Sequence, residues 1–191
     1  MPLEVLAWPA DAGRLARCWT GRGLVVIGVQ TPATTIRDTA RAAIRTALRE
    51  ALGLLLGCAP DAVPLASSSG NPLRLDMPET PIALSVSHEP GLSIAAIRRG
   101  GGVGADIMRI DETMEWELVA ADYLGPHARA RIAGASEFAR EWTRLEAALK
   151  CRGMALREWH PDVETLLRQL TFIDLSLPEG FAGAVALAAN P

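Results

Sequence analysis

The chain has 191 residues, of which 49% are apolar and 21% charged, and its formal net charge at neutral pH is −3. This composition is ordinary for a globular protein long enough to bury a sizeable core. The near-balanced charge gives no reason to expect nucleic acid or a membrane surface as a partner, and no apolar run is long enough to cross a bilayer. The three widely spaced cysteines argue against a disulfide framework and favour a reducing, cytoplasmic location.

Apolar periodicity and turn residues predict an α+β protein. In chain order, the first half is expected to contain strands at 3–8 and 23–30, a helix capped by Thr35 or Asp38 and ending near 57, a loop at 59–81, and strands at 82–86 and 92–97 joined by a turn at 88–91. The second half is expected to contain a strand at 103–109, helices at 114–124, 136–152 and 163–169, and a final hairpin with strands at 171–177 and 182–188. Ser136 is the expected N-cap of the helix at 136–152.

Two segments of the chain resemble each other. Residues 84–97 and 175–187 both read as a strand, a turn containing Glu, Pro and Gly, and an alanine-rich strand, and each follows a long helix. We interpret them as parts of two similar α+β lobes, at 1–101 and 102–191, each a small, mostly antiparallel sheet packed on a long helix. The alternative is coincidence, because any α+β protein offers two such hairpins.

An acidic residue interrupts the apolar strand at 103–109. Asp106 lies two positions before Met108, so the two side chains share one face of the strand. A carboxylate buried in such a strand is costly unless it is paired or bound to a metal. The alternative is a solvated carboxylate at a strand end.

Four side chains form a stripe along the helix at 136–152. Phe138, Trp142, Glu146 and Lys150 are spaced by four, so they lie on one helix face, with the aromatic end suited to a core and the charged end to a cleft. The alternative is a surface Glu–Lys pair, which contributes only about 0.3–0.5 kcal/mol.

Ser87 and His88 follow the strand at 82–86, where a histidine is able to bond a phosphate oxygen. The alternative is an exposed histidine in a turn. The glycines at 100–104, followed by Ala105, imitate a nucleotide-binding loop. That fingerprint requires a helix directly after it, whereas the sequence continues as a strand, so we reject it.

In order and spacing these segments resemble the 4′-phosphopantetheinyl transferase superfamily, specifically its larger, pseudo-dimeric surfactin type. The family pattern is Ser-His after a strand, then G-[IV]-D-x-E, then W-x-x-K-E-[AS]-x-x-K. This sequence offers Ser87-His88, then GADIM at 104–108, then WTRLEAALKCRG at 142–153, and 70–72 (GNP) resembles the family's Gly-Lys-Pro. The resemblance covers about residues 36–189, and the helix motif is its most specific part.

The resemblance implies transfer of the 4′-phosphopantetheine group from coenzyme A to a serine of an acyl, peptidyl or polyketide carrier protein, by a monomer that requires Mg²⁺. By analogy, Asp106 and Glu146 hold the metal, and Glu146 also helps to deprotonate the serine. The residues expected to contact coenzyme A are Lys150 at the pyrophosphate, His88 at another phosphate oxygen, Ser87, and Arg41 at the 3′-phosphate with Arg45 and Arg37 behind it. Arg98, Arg99 and Arg109 are candidate contacts for an acidic carrier.

Three departures from the family pattern keep a second reading open. The second acid of the metal strand is Met108 here, the lysine before the helix glutamate is Leu145, and the lysine of Gly-Lys-Pro is Asn71. Each change is expected to remove a charge from the site. The chain is therefore either an active transferase or a catalytically impaired homologue that binds coenzyme A or a carrier. A third reading ignores the resemblance and gives an α+β adaptor without a small-molecule site.

Overall fold

The structure, a computed structural model, describes residues 1–66 and 73–189. Its strands are β1 (Leu3–Ala7), β2 (Leu24–Gln30), β3 (Leu65–Ala66), β4 (Arg74–Leu75), β5 (Ile82–Glu89), β6 (Leu92–Arg99), β7 (Val103–Arg109), β8 (Leu170–Ser176) and β9 (Phe181–Ala188). Its helices are α1 (Leu15–Arg22), α2 (Arg37–Leu56), α3 (Trp116–Tyr123), α4 (Pro126–Arg129), α5 (Ala135–Arg152) and α6 (Pro161–Arg168).

Seven strands form one sheet in the order β5-β6-β2-β1-β8-β9-β7, and β3 and β4 form a separate short ribbon. Strand β1 is parallel to both of its neighbours, and the other pairs are antiparallel. The predicted α+β class is therefore confirmed. Helix α1 was not predicted, and the β3–β4 ribbon lies in a segment expected to be loop.

Two predicted boundaries are wrong. Helix α5 begins at Ala135, because the carbonyl of Gly134 accepts the first helical hydrogen bond from Phe138, so Ser136 lies inside the first turn and is not the N-cap. Helix α2 follows Ile36, and neither Thr35 nor Asp38 caps it through a side chain.

His88 lies in a strand and not in the predicted turn. Strand β5 remains paired with β6 up to Glu89 opposite Leu92, so the chain reverses at Pro90 and Gly91, where Gly91 adopts a positive φ of 93°. The extended strand gives the side chains at 85, 87 and 89 a common direction.

Two parts of the chain have the same topology, a strand, a long helix and a hairpin. Unit 1 is β2, α2, β5 and β6, and unit 2 is β7, α5, β8 and β9. In each unit the first strand pairs antiparallel with the last strand, which pairs antiparallel with the middle one. The registers also match, since Gln30 lies opposite Leu92 and Arg109 lies opposite Phe181. One continuous sheet runs through both units, so the division into lobes at 1–101 and 102–191 stays a prediction.

The inner face of the sheet forms a core shared by both units. Ile94 and Val26 of unit 1 belong to the same buried cluster as Ile107 and Val185 of unit 2. A second cluster, which includes Ile27 of β2 and Leu48 of α2, lies between the strands of unit 1 and α2. The shared core brings β5, at one end of the strand order, beside β7, at the other end.

Helix α5 approaches β7 unusually closely at Gly104. A Cβ atom added there would lie 1.9 Å from the carbonyl oxygen of Ala147, so a larger residue does not fit without moving the helix. The close approach brings the charged stripe of α5 down onto β7 and therefore positions the site described next.

Candidate active site

A cleft of about 770 Å³ lies between α2, β5, β7 and α5. It contains every site residue predicted from the sequence, namely Asp106, Glu146, Lys150, Ser87, His88, Arg41 and Arg45. Arg37, Glu89, Met108 and Trp142 also line it. The structure thus brings together side chains from four separate elements.

Two serine side chains of β5 connect this strand to β7, and one of them, Ser87, lines the cleft. The hydroxyl of Ser85 accepts a hydrogen bond from the backbone N–H of Ala105 at 2.9 Å, and that of Ser87 accepts one from Ile107 at 3.3 Å. Ser87 in turn donates to the Oδ1 atom of Asp106 at 2.7 Å. Ser87 therefore holds the aspartate in place, in addition to any contact with a ligand.

Asp106 is 7% exposed, and an ammonium group neutralises its charge. The Nζ atom of Lys150 lies 2.6 Å from Oδ1 of Asp106, 3.3 Å from the carbonyl oxygen of Ala105 and 3.5 Å from that of Val86. Three oxygen atoms thus face one compact cation, which explains how a carboxylate is tolerated in an otherwise apolar strand.

Glu146 lies one helical turn before Lys150 and is half-buried. Within the described ranges 1–66 and 73–189 its carboxylate has no hydrogen-bond partner. Burial raises the pKa of Glu146, the nearby charge of Asp106 raises it further, and Lys150 partly offsets the shift. A free carboxylate with a raised pKa is suited to accept a proton.

His88 is neutral at physiological pH. Burial lowers its pKa to about 4, and the surrounding cations Arg41, Lys150, Arg37 and Arg45 contribute to the shift. Its Nδ1 atom lies 3.0 Å from the hydroxyl oxygen of Ser93. If Ser93 donates to Nδ1, the Nε2–H group remains as a hydrogen-bond donor.

Three arginines of α2 extend along one side of the cleft. Arg37, Arg41 and Arg45 are spaced by four and therefore share a helix face. All three are exposed, and within 1–66 and 73–189 the one ion pair of Arg41 is a 3.7 Å contact with the exposed carboxylate of Asp38. Their guanidinium groups are therefore available to an anion, for which arginine is well suited.

Sequence reasoning missed Glu89 as a residue of the cleft. Burial and the charge of Asp106 raise the pKa of Glu89, whereas Arg109 and Arg37 lower it. The sequence does contain a signal for Glu89, because residues 85, 87 and 89 share one face of a strand. The signal is missed when the strand is predicted to end at residue 86 instead of 89.

The departures from the family pattern have different structural consequences. Met108 lines the cleft, so an acid is indeed absent there. Leu145 is 3% exposed and packs in the apolar cluster of Phe138 and Val163. The expectation that Leu145 removes a charge from the site is therefore wrong, because this position faces the core. Asn71, with Gly70 and Pro72, lies outside the described residues.

Among the described residues, no three His, Cys, Asp or Glu side chains form a group able to hold a metal ion. Magnesium usually takes one or two protein carboxylates and completes its coordination with phosphates and waters. Asp106 and Glu146 offer such hard oxygen donors, and the ammonium group on Asp106 shows that this position attracts a cation. The residues therefore fit Mg²⁺ shared with a phosphate ligand, with Met108 too soft to contribute.

The fold and the cleft define an α+β protein with carboxylate and cationic side chains in one cleft. No family model matches the chain, and no curated protein is significantly similar to it. Within 1–66 and 73–189, none of the helices combines the length and the apolar character needed to cross a membrane.

Proposed function

We propose that the chain transfers the 4′-phosphopantetheine group of coenzyme A to a serine of a carrier protein, as a member of the 4′-phosphopantetheinyl transferase superfamily that its motifs resemble. The observation that carries the proposal is the convergence of Asp106, Glu146 and Lys150 with the arginines of α2 in one cleft. Under this proposal the enzyme is a cytoplasmic monomer. Its three thiols, Cys18, Cys58 and Cys151, are free, which suits a reducing compartment.

Charge favours an anionic substrate in this cleft. Arg37, Arg41, Arg45 and Lys150 supply four cationic groups, and the phosphates of coenzyme A are strong acceptors for such donors. His88 adds a neutral Nε2–H donor in the tautomer that accepts from Ser93. These groups bind and orient the pyrophosphate and the 3′-phosphate, which is the main requirement of phosphoryl transfer.

In the transfer step, the hydroxyl oxygen of the carrier serine forms a bond to the β-phosphorus of coenzyme A. The bond from that phosphorus to the bridging oxygen breaks, and adenosine 3′,5′-bisphosphate leaves with the electron pair. The serine proton passes to the carboxylate of Glu146, directly or through a water. Asp106 and Glu146 would hold Mg²⁺, which would supply charge neutralisation at the phosphates.

Exposed arginines extend the proposal to the carrier. Arg109 follows Met108 of the cleft and is exposed, with its Nη2 atom donating to the carbonyl oxygen of Pro90 at 2.8 Å and its guanidinium group over the ring of Phe181. Arg99 is exposed at the end of β6 that pairs with Ile82, away from the cleft, and lies over the ring of Trp19. Arg98 is a poor candidate, because its Nη1 atom donates to the carbonyl oxygens of Gly102 and Ala188 at 2.6 and 2.7 Å.

The test is the mass gain of apo carrier proteins incubated with the chain, coenzyme A and Mg²⁺. Glu146→Gln and Asp106→Ala are each expected to lower transfer by at least about a hundredfold, because they remove the proton acceptor and the metal ligand. Glu137→Gln, on the first turn of the same helix and outside the cleft, is the matched control and should retain activity. Normal transfer by both cleft variants would remove this site assignment.

Met108 favours a second candidate, a homologue that binds coenzyme A without transferring it. In that case calorimetry detects coenzyme A while the mass assay stays blank, and Met108→Glu restores transfer. Leu145→Lys is not a useful companion, because it places an ammonium group in the apolar cluster. An adaptor without a ligand site would show no thermal shift, whereas a specific ligand at a hundred times its Kd stabilises by about 2.7 kcal/mol.

A further inference from the structure

Lys150 is the only lysine in the chain, beside 18 arginines. Its ammonium group lies among three oxygen atoms, the Oδ1 of Asp106 and the carbonyl oxygens of Ala105 and Val86, at 2.6 to 3.5 Å. A compact ammonium group suits such a nest, whereas the planar guanidinium group of arginine does not. The one lysine thus occurs where a small cation is required.

We propose that Lys150 occupies the cation position at Asp106 in the ligand-free protein, and that a phosphate anion must draw it away before a divalent metal binds tightly. The inference rests on the proposed function for the identity of the site, but it concerns binding and does not require transfer. It makes Lys150 an internal competitor of the metal as well as a phosphate ligand.

Competition follows from the geometry at the carboxylate. Oδ1 of Asp106 already accepts from Ser87 at 2.7 Å and from Lys150 at 2.6 Å. A divalent ion on the same carboxylate would lie close to the ammonium group, and like charges a few ångströms apart repel strongly in a partly buried site. The metal and Lys150 therefore cannot both bind Asp106 favourably.

Once released from Asp106, the ammonium group of Lys150 can bind an anion inside the same cleft. Its side chain is 32% exposed and has a flexible four-carbon stem. Arg41 and His88 line the cleft beside it, so an anion bound there offers the ammonium group a new partner. Metal and anion then assist each other's binding, and such coupling is reciprocal by thermodynamic necessity.

Magnesium affinity measured by calorimetry tests the competition directly. Without any anion, Lys150→Gln is expected to bind Mg²⁺ about tenfold more tightly than the wild type, a factor typical of coupling between sites. Inorganic phosphate should strengthen Mg²⁺ binding more in the wild type than in the variant. Arg41→Gln removes a cation from the same cleft without touching Asp106, so it should produce a clearly smaller gain.

The single lysine also provides a spectroscopic readout. Protein labelled with ¹³C-lysine should give one ε-methylene signal in the NMR spectrum. Its chemical shift is expected to change little with Mg²⁺ alone and to change in proportion to binding when phosphate and Mg²⁺ are added together. Equal Mg²⁺ affinity in Lys150→Gln and wild type, or an equal gain in Arg41→Gln, would overturn the inference. If the protein fails the transfer assay but shows these binding results, the proposed reaction is wrong and the competition between Lys150 and the metal stands. If it transfers the group but does not show these binding results, only the competition is wrong.

Discussion

The two units carry a glutamate at the same position of their long helices, but of these two side chains it is Glu146 that lines the cleft between α2, β5, β7 and α5. Glu50 precedes the left-handed Gly57 that ends α2 by seven residues, and Glu146 precedes the left-handed Gly153 that ends α5 by the same number. Glu50 accepts a hydrogen bond from the indole Nε1 of Trp8 at 2.7 Å, whereas Glu146 remains free in the described part of the chain.

The strands that pack against these two helices also differ, because an apolar side chain of unit 1 corresponds to a charged one in unit 2. The matching registers of the two units place Ile27 of β2 where Asp106 stands in β7. Ile27 is completely buried and apolar, while Asp106 binds Lys150. The strand position is therefore part of the apolar core in unit 1, whereas in unit 2 the same position carries a charged side chain of the cleft.

The junctions between the units explain the difference. At one junction, β1 lies between β2 of unit 1 and β8 of unit 2, and its backbone fills the space between them. Trp8, which directly follows β1, also lies at this junction. On the other side β5 and β7 meet through Ser85 and Ser87 and leave the cleft above them. A repeated topology thus produces one open site, because a single extra strand closes its counterpart.

The largest expected effect concerns the close packing of helix on strand in unit 2. The counterpart of Gly104 in unit 1 is Val25, so α2 tolerates a side chain where α5 does not. Gly104→Ala places a Cβ atom 1.9 Å from the carbonyl oxygen of Ala147. We expect a loss of about 3 kcal/mol or more in the free energy of unfolding, measured by urea denaturation, together with loss of transfer.

Gly21→Ala is the matched control for this prediction. A Cβ atom at Gly21 has nothing within 4 Å, and the residue lies inside helix α1. Alanine should therefore stabilise the protein slightly, by about 0.5–1 kcal/mol. Equal stability of the two variants would contradict the close approach of α5 and with it the explanation of how the site is built.

A smaller effect is expected at the closed counterpart of the cleft. Trp8→Phe removes the indole N–H that satisfies Glu50 and should destabilise the protein by about 1.5–3 kcal/mol, while transfer is retained. A double-mutant cycle with Glu50→Ala isolates the hydrogen bond, because the cost of Trp8→Phe should fall once the acceptor is gone. A large loss of transfer in Trp8→Phe without unfolding would show that the closed counterpart at Trp8 and Glu50, and not only the cleft, contributes to the chemistry.

The sequence predicted which residues converge in the cleft better than it predicted the junction beside which the cleft forms. The stripe of Trp142, Glu146 and Lys150 follows directly from helical spacing, and the strand of Asp106 follows from its apolar pattern. The insertion of β1 is a long-range pairing, and no local pattern encodes it. The core-facing position of Leu145 was missed for the same reason, since its environment depends on α3 and α6.

A further expected effect tests the open site through the pH dependence of stability. The pKa of His88 is about 4 when folded and near 6.5 in the unfolded chain, so between these values the unfolded state binds the proton and stability falls as the pH falls. The raised pKa values of Glu89 and Glu146 act in the opposite direction, because those carboxyls bind protons more tightly when folded. Urea denaturation from pH 7 to pH 4 should therefore show His88→Gln gaining stability relative to the wild type.

His127→Gln, at an exposed position in α4, provides the matched control for that series. If His88→Gln and the wild type lose stability in parallel from pH 7 to pH 4, the histidine is not held neutral among Arg41, Arg45 and Lys150. The cleft would then be solvated like an ordinary surface. A cleft of that kind would not concentrate positive charge on a phosphate, because water screens exposed charges far more effectively than partly buried ones. The pH series therefore tests, without any substrate, the electrostatic condition on which the proposed chemistry depends.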